Sequence, residues 1–348
     1  MADKNPIWSL NYKPKRLDDI CGRDQVVSQL KDFVRNINFP HLLITGNEGV
    51  GKTTIAKCFA KAFLGEFYDS NFKLLYADIP VSSEERSQAG ISTTFSKSVI
   101  GSRAGRRRYI HPFLDIKVKP FVQIRVLGES PFKILVVKNF EALGQFQQGF
   151  RRLMETYGTN CRMIIITTRV SSIIDPIVSR CQLLFVSQID FINFKKLMLN
   201  IADEEGIKIN EPAIEILYKY TEGQINKAIN IMQLASMHTT LINSEMLYDV
   251  IDLFREKGIN ELLNFIYKGD FVKCREHIRS IRRTYNYTAR EIYKKMLDEV
   301  LLAPLGKKLK IQFINHIADA DFRGNDGLDD DIQLSSLISK LCLLSKKL

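Results

Sequence analysis

The chain lacks any long apolar run. Across its 348 residues, no window approaches the roughly 18 uncharged apolar residues that a membrane-spanning helix needs. The opening residues 1–6 (MADKNP) also lack the apolar core of a signal peptide. We therefore expect no membrane-spanning segment and no secretion or membrane signal.

Paired cysteines are missing as well. The six cysteines are widely scattered, none forms a C-x-x-C pair, and no histidine lies at metal-ligand spacing from them. This pattern excludes the usual zinc and disulfide frameworks and favours a reducing intracellular compartment.

The composition contains no low-complexity block and no internal repeat. A hydrophobic fraction of 45% with 26% charged residues is that of an ordinary globular chain, and the length exceeds the usual size of one core. Lys and Arg number 50 against 39 Asp and Glu, which gives a net charge of +11. Such an excess favours a polyanionic partner, which could be nucleic acid or an anionic membrane surface.

Four short apolar runs rich in β-branched residues, separated by helical stretches, predict a parallel sheet that is covered on both faces. They are residues 41–45 (HLLIT), 133–137 (KILVV), 162–168 (RMIIITT) and 183–186 (LLFV). Beyond residue 189 only helical spacing remains, with breaks expected at Gly258, Gly269, Pro304 and 324–327. We predict an α/β core over 1–187, a small helical domain over 188–238 and a larger helical domain over 239–348.

Residues 46–53 (GNEGVGKT) match the phosphate-binding pattern G-x-x-x-x-G-K-[ST] in full. They lie between a predicted buried strand and a predicted helix, so backbone N–H groups and the helix N-terminus could surround phosphate oxygens. In this pattern Lys52 reaches the β- and γ-phosphates and Thr53 holds Mg²⁺. The predicted nucleotide-binding residues here are Gly46, Asn47, Glu48, Gly49, Val50, Gly51, Lys52, Thr53 and Thr54.

The acids that usually accompany such a loop are absent from the tip of the strand at 133–137. The strand runs directly into Lys138 and Asn139, and Glu141 follows too late, so we expect Glu141 to point elsewhere. The strand at 162–168 offers no acid at its end either. Because Mg²⁺ and the attacking water are normally held by such acids, a defective hydrolytic centre is predicted.

Six short sequence motifs, in the same order along the chain, resemble those of the small subunits of replication factor C, the AAA+ sliding-clamp loader of archaea and eukaryotes. The resemblance covers nearly the whole length. The motifs are Trp8 with residues 12–22, 39–43 leading into the phosphate loop, 150–157 (FRRLMETY), 171–181 (ending in SRC), 222–230 (EGQINKAIN), and 317–323 with 331–334.

The resemblance implies a P-loop AAA+ core with a parallel sheet, a helical lid over 188–238 and a helical collar over 239–348 that assembles a pentameric ring. ATP with Mg²⁺ would lie between subunits, and Arg180 would be an arginine finger given to the neighbouring site. Tyr12 and Lys13 would lie near the adenine and phosphates, although Tyr12 could also be a plain core aromatic. The implied partners are other loader subunits, a sliding clamp and primer–template DNA, in the cytoplasm of an archaeon or the nucleus of a eukaryote.

Four residues depart from the family pattern, at three of its motifs. Lys138 and Asn139 align with its Asp-Glu pair, Thr168 with its sensor-1 Asn, and Asn226 with its sensor-2 Arg. These changes predict a subunit that binds ATP, hydrolyses it weakly and activates a neighbour. Two alternatives stay open: a non-replicative AAA+ adaptor, and a competent ATPase that uses Glu141 as its acid.

Residues 101–125 form a basic segment, with seven basic residues against one acid. In the family this region faces DNA, which makes Arg103, Arg106, Arg107 and Arg108 candidate DNA contacts. A solvated surface loop explains the same charge equally well.

Overall fold

The computed structural model describes residues 6–82, 84–85, 113–237, 239–254, 257–285, 287–303, 305–326 and 329–345. The candidate DNA contacts Arg103, Arg106, Arg107 and Arg108 lie outside these ranges. The chain divides into two compact units, Met1–Leu247 and Tyr248–Leu348. The predicted domain borders at 187/188 and 238/239 stay predictions.

A five-stranded parallel sheet forms the centre of the first unit, in the order β2-β3-β4-β1-β5. The strands are β1 His41–Thr45, β2 Phe72–Tyr76, β3 Lys133–Lys138, β4 Cys161–Thr167 and β5 Cys181–Phe185. This confirms the predicted α/β class with a parallel sheet. Strand β4 separates β1 from β3, with Ile166 in register with both Ile44 and Lys138.

Helices cover both faces of this sheet. The helices that accompany it are α1 Trp8–Asn11, α2 Asp24–Arg35, α3 Lys52–Leu64, α4 Tyr68–Asn71, α5 Lys119–Gln123, α6 Gln147–Tyr157 and α7 Asp175–Val178. On one face, Ile44 and Val136 share a core with Phe59 of α3. On the other, Leu43 and Val137 share a core with Phe150 of α6. Alternate residues of each strand therefore supply the two cores, as the pleat requires.

The first unit continues into helices beyond the sheet. They are α8 Phe191–Glu204, α9 Glu211–Thr221 and α10 Ile225–Ser236, with the short paired strands β6 Lys208–Ile209 and β7 Leu241–Ile242 between and after them. Helix α11 Ser244–Phe254 spans the border between the two units. Asn210 caps α9 by accepting a hydrogen bond from the backbone N–H of Ala213 at 3.0 Å. Such a cap satisfies one of the free N–H groups of the first turn.

The second unit is helical throughout its described residues. Its further helices are α12 Lys257–Tyr267, α13 Phe271–Tyr285, α14 Ala289–Leu302, α15 Lys307–Asp326 and α16 Asp330–Ser345. They enclose one core that includes Leu262, Ile278, Met296, Phe313 and Leu337. Within the described part of the chain, no helix is long and apolar enough to cross a membrane.

The structure differs from the sequence expectations in three elements. Strand β2 was not expected, because its segment FKLLY is only partly buried and lies at the sheet edge. Strand β5 begins at Cys181 instead of 183. The break expected at Gly258 falls just before it, since α11 ends at Phe254 and α12 begins at Lys257, whereas the break expected at 324–327 comes later, since α15 continues through Gly324 to Asp326. A Cβ on Gly258 would lie 2.9 Å from Ile281, so this glycine permits close helix packing.

Candidate nucleotide site

The phosphate-binding loop connects β1 to α3, as the sequence predicts. Gly46, Gly49 and Gly51 all have positive φ, at 151°, 77° and 95°. At Gly46 a Cβ would lie 2.1 Å from the backbone oxygen of Val186, so only glycine fits there. The loop thus brings its N–H groups to the N-terminus of α3, where an anion is favoured.

Lys52 opens α3 and is only 8% exposed. Its Nζ donates to the carbonyl oxygens of Gly46 at 2.7 Å and Asn47 at 2.6 Å. Burial lowers the pKa of Lys52, the charges of Glu141 and Glu48 oppose that effect, and Lys138 adds to it. The ammonium is therefore held within the loop by backbone oxygens, while Thr53 stands next to it, half-buried on the same helical turn.

A cavity of about 770 Å³ lies beside the loop. Seven of the predicted site residues line it: Tyr12, Lys13, Gly49, Val50, Gly51, Thr54 and Asn226. The remaining loop residues Gly46, Asn47, Glu48, Lys52 and Thr53 complete the turn without lining this cavity. Apolar side chains of Ile20, Ile55 and Ile201 form part of the wall, which suits a flat aromatic ring next to a phosphate loop.

Sequence reasoning missed several residues that shape this cavity. Arg23 is buried, and its Nη2 donates to the carbonyl oxygen of Val50 at 2.9 Å, which ties α2 to the loop. Within the described residues its Nε has no hydrogen-bond partner. Gln224 packs so closely on Gly49 that a Cβ there would lie 2.8 Å from its side chain. Gln224 lies within the family-like segment 222–230, but neither its contact with Gly49 nor that of Arg23 with Val50 follows from sequence spacing.

Tyr12 contacts helix α8. Its hydroxyl donates to Oε1 of Glu205, directly after α8, at 2.5 Å. Burial raises the pKa of Tyr12, and the hydrogen bond and charge of Glu205 raise it further. Tyr12 therefore lines the cavity and also connects the N-terminal segment to the helical part of the unit.

The strand tips next to the loop carry the altered residues. Lys138 ends β3, and its Nζ lies 5.3 Å from the ring centre of Tyr76 on β2. Asn139 has a positive φ of 55° and donates from Nδ2 to Asp78 at 2.8 Å. Both positions are thus engaged with β2 and the residues that follow it.

Glu141 does not point away from the site, so that expectation was wrong. Its Oε1 accepts a hydrogen bond from the hydroxyl of Thr168 at 2.9 Å, and its charge acts on Lys52. Burial raises the pKa of Glu141, but hydrogen bonds from the backbone, Thr167 and Thr168 outweigh burial and lower it overall. Among the described residues, the other oxygen, Oε2, has no hydrogen-bond partner. A short turn after β3 brings this carboxylate back to the site, and this turn could not be predicted from the spacing of residues in the sequence.

Arg180 lies away from the cavity, whose described lining does not include it. It is exposed, donates from Nη1 to the carbonyl oxygen of Pro176 at 2.7 Å, and pairs through Nη2 with Glu155 of α6 at 2.7 Å. These two contacts hold its guanidinium at the protein surface.

Comparison with known proteins identifies the family. The model of the ATPase family associated with various cellular activities (AAA) matches residues 42–188, and that of the replication factor C C-terminal domain matches residues 254–340. The replication factor C small subunit of Archaeoglobus fulgidus is 32% identical over 342 residues, covering 98% of both chains. The chain belongs to the replication factor C small-subunit family.

Other relatives agree with this assignment. The small subunit of Aeropyrum pernix is 33% identical and covers 98% of this chain and 97% of its own. Among solved structures, the Holliday junction branch migration motor RuvB of Thermotoga maritima matches with a TM-score of 0.50 at 17% identity, over 73% of this chain and 79% of that one. That likeness concerns the AAA fold alone, and the fold implies a nucleotide site at the P-loop.

The residues present fit a nucleotide better than they fit Mg²⁺. The loop N–H groups and Lys52 suit phosphate oxygens, and the cavity suits a nucleoside. Mg²⁺ usually takes one or two carboxylates besides phosphate oxygens. Among the described residues, no group of three or more His, Cys, Asp or Glu side chains could hold a metal ion. Thr53 is the one predicted metal ligand, and a lysine ends the strand where an acid would assist it.

Proposed function

We propose that the chain is an ATP-binding subunit of a clamp loader, which places a sliding clamp on primer–template DNA in replication and repair. The similarity to replication factor C small subunits carries this proposal, because it spans 98% of both chains and includes the C-terminal domain. The phosphate loop with its adjoining cavity supports ATP as the ligand.

The proposed arrangement is a pentameric ring. The core over 1–187 binds nucleotide, the lid over 188–238 covers it, and the collar over 239–348 joins the subunits. Arg180 is offered to the ATP of the neighbouring subunit. Its exposure and its position outside the cavity of its own chain support this role.

Hydrolysis in this chain's own site is proposed to be weak. Lys138 and Asn139 replace the acids that would hold Mg²⁺ and orient water, and electrostatic positioning supplies most of phosphoryl-transfer catalysis. A competent ATPase with Glu141 as its acid is the second candidate, favoured by the contact of Glu141 with Thr168 and by its effect on Lys52. A turnover of about 1 s⁻¹ or more by the pure chain, lost in Glu141→Gln, would favour that candidate.

The test is reconstitution with the native partner subunits, the clamp and primed DNA. We expect a complex whose mass equals five subunits, and ATP-dependent clamp loading that disappears when this chain is omitted. A chain that binds nucleotide but stays outside every such complex would instead support the non-replicative adaptor.

A further inference from the structure

Lys138 lies on the face of the sheet where the phosphate loop begins its helix. Val136 and Ile134 of β3 belong to the core shared with α3, and alternate residues of a strand point to the same face. Lys138 follows Val136 by two positions, so its side chain shares the α3 face. Ile166 of β4 is level with both Lys138 and Ile44, which places Lys138 level with the carboxyl end of β1, with β4 between them.

The contacts of Lys138 keep its charge at this edge. Its Nζ lies over the ring of Tyr76, in register with it on β2, at 5.3 Å from the ring centre. Its charge reaches Lys52, where it adds to the effect of burial in lowering the pKa of that ammonium. Two lysines, one from the loop and one from the strand tip, therefore face the same region.

Two carboxylates lie near this strand tip, and each has one oxygen that accepts a hydrogen bond. Asp78 accepts a hydrogen bond from Asn139, and Oε1 of Glu141 accepts one from Thr168. The tip of the strand itself carries the ammonium of Lys138, which repels a divalent cation. An ammonium, by contrast, is itself a compact charge with three donors and a common phosphate partner.

We propose that this site binds ATP without Mg²⁺, and that Lys138 supplies at the phosphates the positive charge that a metal ion supplies where the strand ends in an acid. The proposal rests on the proposed function, because it concerns the same nucleotide site. It requires only that Lys138 and Lys52 approach the phosphate oxygens together, as the sheet register and the shared face allow.

The test measures ATP affinity of the full chain by titration calorimetry, in excess Mg²⁺ and in excess EDTA. We expect the wild-type dissociation constants in the two buffers to agree within about threefold, since no carboxylate-supported metal contributes. Lys138→Gln should weaken ATP about tenfold in both buffers, as loss of one charge-assisted phosphate contact implies. Lys138→Asp should bind ATP well only with Mg²⁺, because it restores an acid at the strand tip. Lys219→Gln, an exposed residue outside the cavity, is the control for loss of one charge.

Two results would overturn the proposal and are distinguishable from failure of the proposed function. If EDTA weakens wild-type binding tenfold or more, the nucleotide needs Mg²⁺, and loss of that dependence in Glu141→Gln would make Glu141 its ligand. If Lys138→Gln binds like wild type, Lys138 does not face the phosphates. If the wild-type chain binds no ATP in either buffer and matches Lys52→Ala, the proposed nucleotide function itself fails. Thermal unfolding of each variant verifies that it is folded.

Discussion

At the scale of single residues, Lys52 is the one whose removal tests nucleotide binding most directly. It is buried within the loop, and charge-assisted hydrogen bonds contribute about 1.5–3 kcal/mol each. We expect Lys52→Ala to weaken ATP and ADP binding about 10- to 100-fold, because backbone dipoles alone would then meet the phosphate charge. Calorimetric titration measures this. Lys61→Ala, exposed on the same helix, is the matched control and should leave both affinities unchanged.

Arg180 should act on the neighbouring site instead of its own. We expect Arg180→Ala to leave this chain's ATP affinity nearly unchanged and to lower turnover in the adjacent site about 10³-fold, the loss typical of an arginine finger. The measurement uses a mixed assembly in which only that neighbour retains a working phosphate loop.

The pairing of Arg180 with Glu155 adds a second variant to this experiment. Glu155→Gln should change the neighbour's turnover while leaving the charge of Arg180 in place, because it alters only the 2.7 Å contact that positions the guanidinium. Arg35→Ala on α2, also an exposed arginine, serves as control. Unchanged turnover in Arg180→Ala would make Arg180 a structural surface residue.

At the scale of elements, His41 connects β1 to β4 at the centre of the sheet. Its Nδ1 accepts a hydrogen bond from the backbone N–H of Met163 at 3.0 Å. Burial lowers the pKa of His41 to about 4, with the charge of Arg162 contributing in the same direction. In the unfolded chain the pKa of a histidine is about 6.5. The contribution of His41 to the free energy of unfolding is therefore complete above about pH 6.5, and it is lost as the pH falls towards 4, because the unfolded chain then binds a proton that the folded state does not.

We therefore expect the first unit to lose up to about 3 kcal/mol of unfolding free energy through His41 as the pH falls from about 6.5 to about 4. His41→Asn keeps an acceptor near Nδ1 but cannot titrate, so its unfolding free energy should change less over this range. Fluorescence of the single tryptophan, Trp8, reports unfolding of this unit. Parallel pH curves for wild type and variant would contradict the prediction.

At the scale of the whole molecule, the net charge is +11. Because positive charge binds the phosphate backbone, we expect the assembly to bind DNA of any sequence, with an affinity that falls as the salt concentration rises. Replacing Arg106, Arg107 and Arg108 by Ala should reduce the slope of log affinity against log salt by up to about 3, if all three contact phosphates. The measurement is binding to primer–template DNA over a salt series.

A second triple variant with the same loss of charge distinguishes direct contacts between the arginines and DNA phosphates from general electrostatic attraction. Replacing Lys307, Lys308 and Lys310 by Ala removes the same charge from the start of α15 in the second unit. If both triple variants change the slope equally, the effect is that of net charge, and the basic segment is a solvated loop.

The sequence by itself determined the parts that depend on neighbouring residues. The G-x-x-x-x-G-K-T spacing placed the loop between β1 and α3, because a buried strand, a glycine turn and a helix N-terminus are adjacent along the chain. Continuous apolar runs identified β1, β3 and β4, because strands that are buried on both faces of a sheet carry apolar residues at every position and do not alternate with polar ones. The loss of acids at Lys138 and Asn139 was also visible in the sequence.

Only the tertiary structure decided which distant groups meet around the loop. Arg23 lines the cavity, whereas Gln224 and Glu205 contact two of its lining residues, Gly49 and Tyr12. These three residues come from separate segments, and nothing in their local spacing indicates that they meet there. The position of Glu141 was predicted wrongly for the same reason. It lies beyond β3 in the sequence, but the turn after β3 brings it back to the site, where it accepts a hydrogen bond from the hydroxyl of Thr168, directly after the adjacent strand β4. Local sequence patterns determine the secondary structure of a segment. Contacts between segments depend on the order of the strands and on the paths of the connecting turns, and these are determined by the packing of both cores.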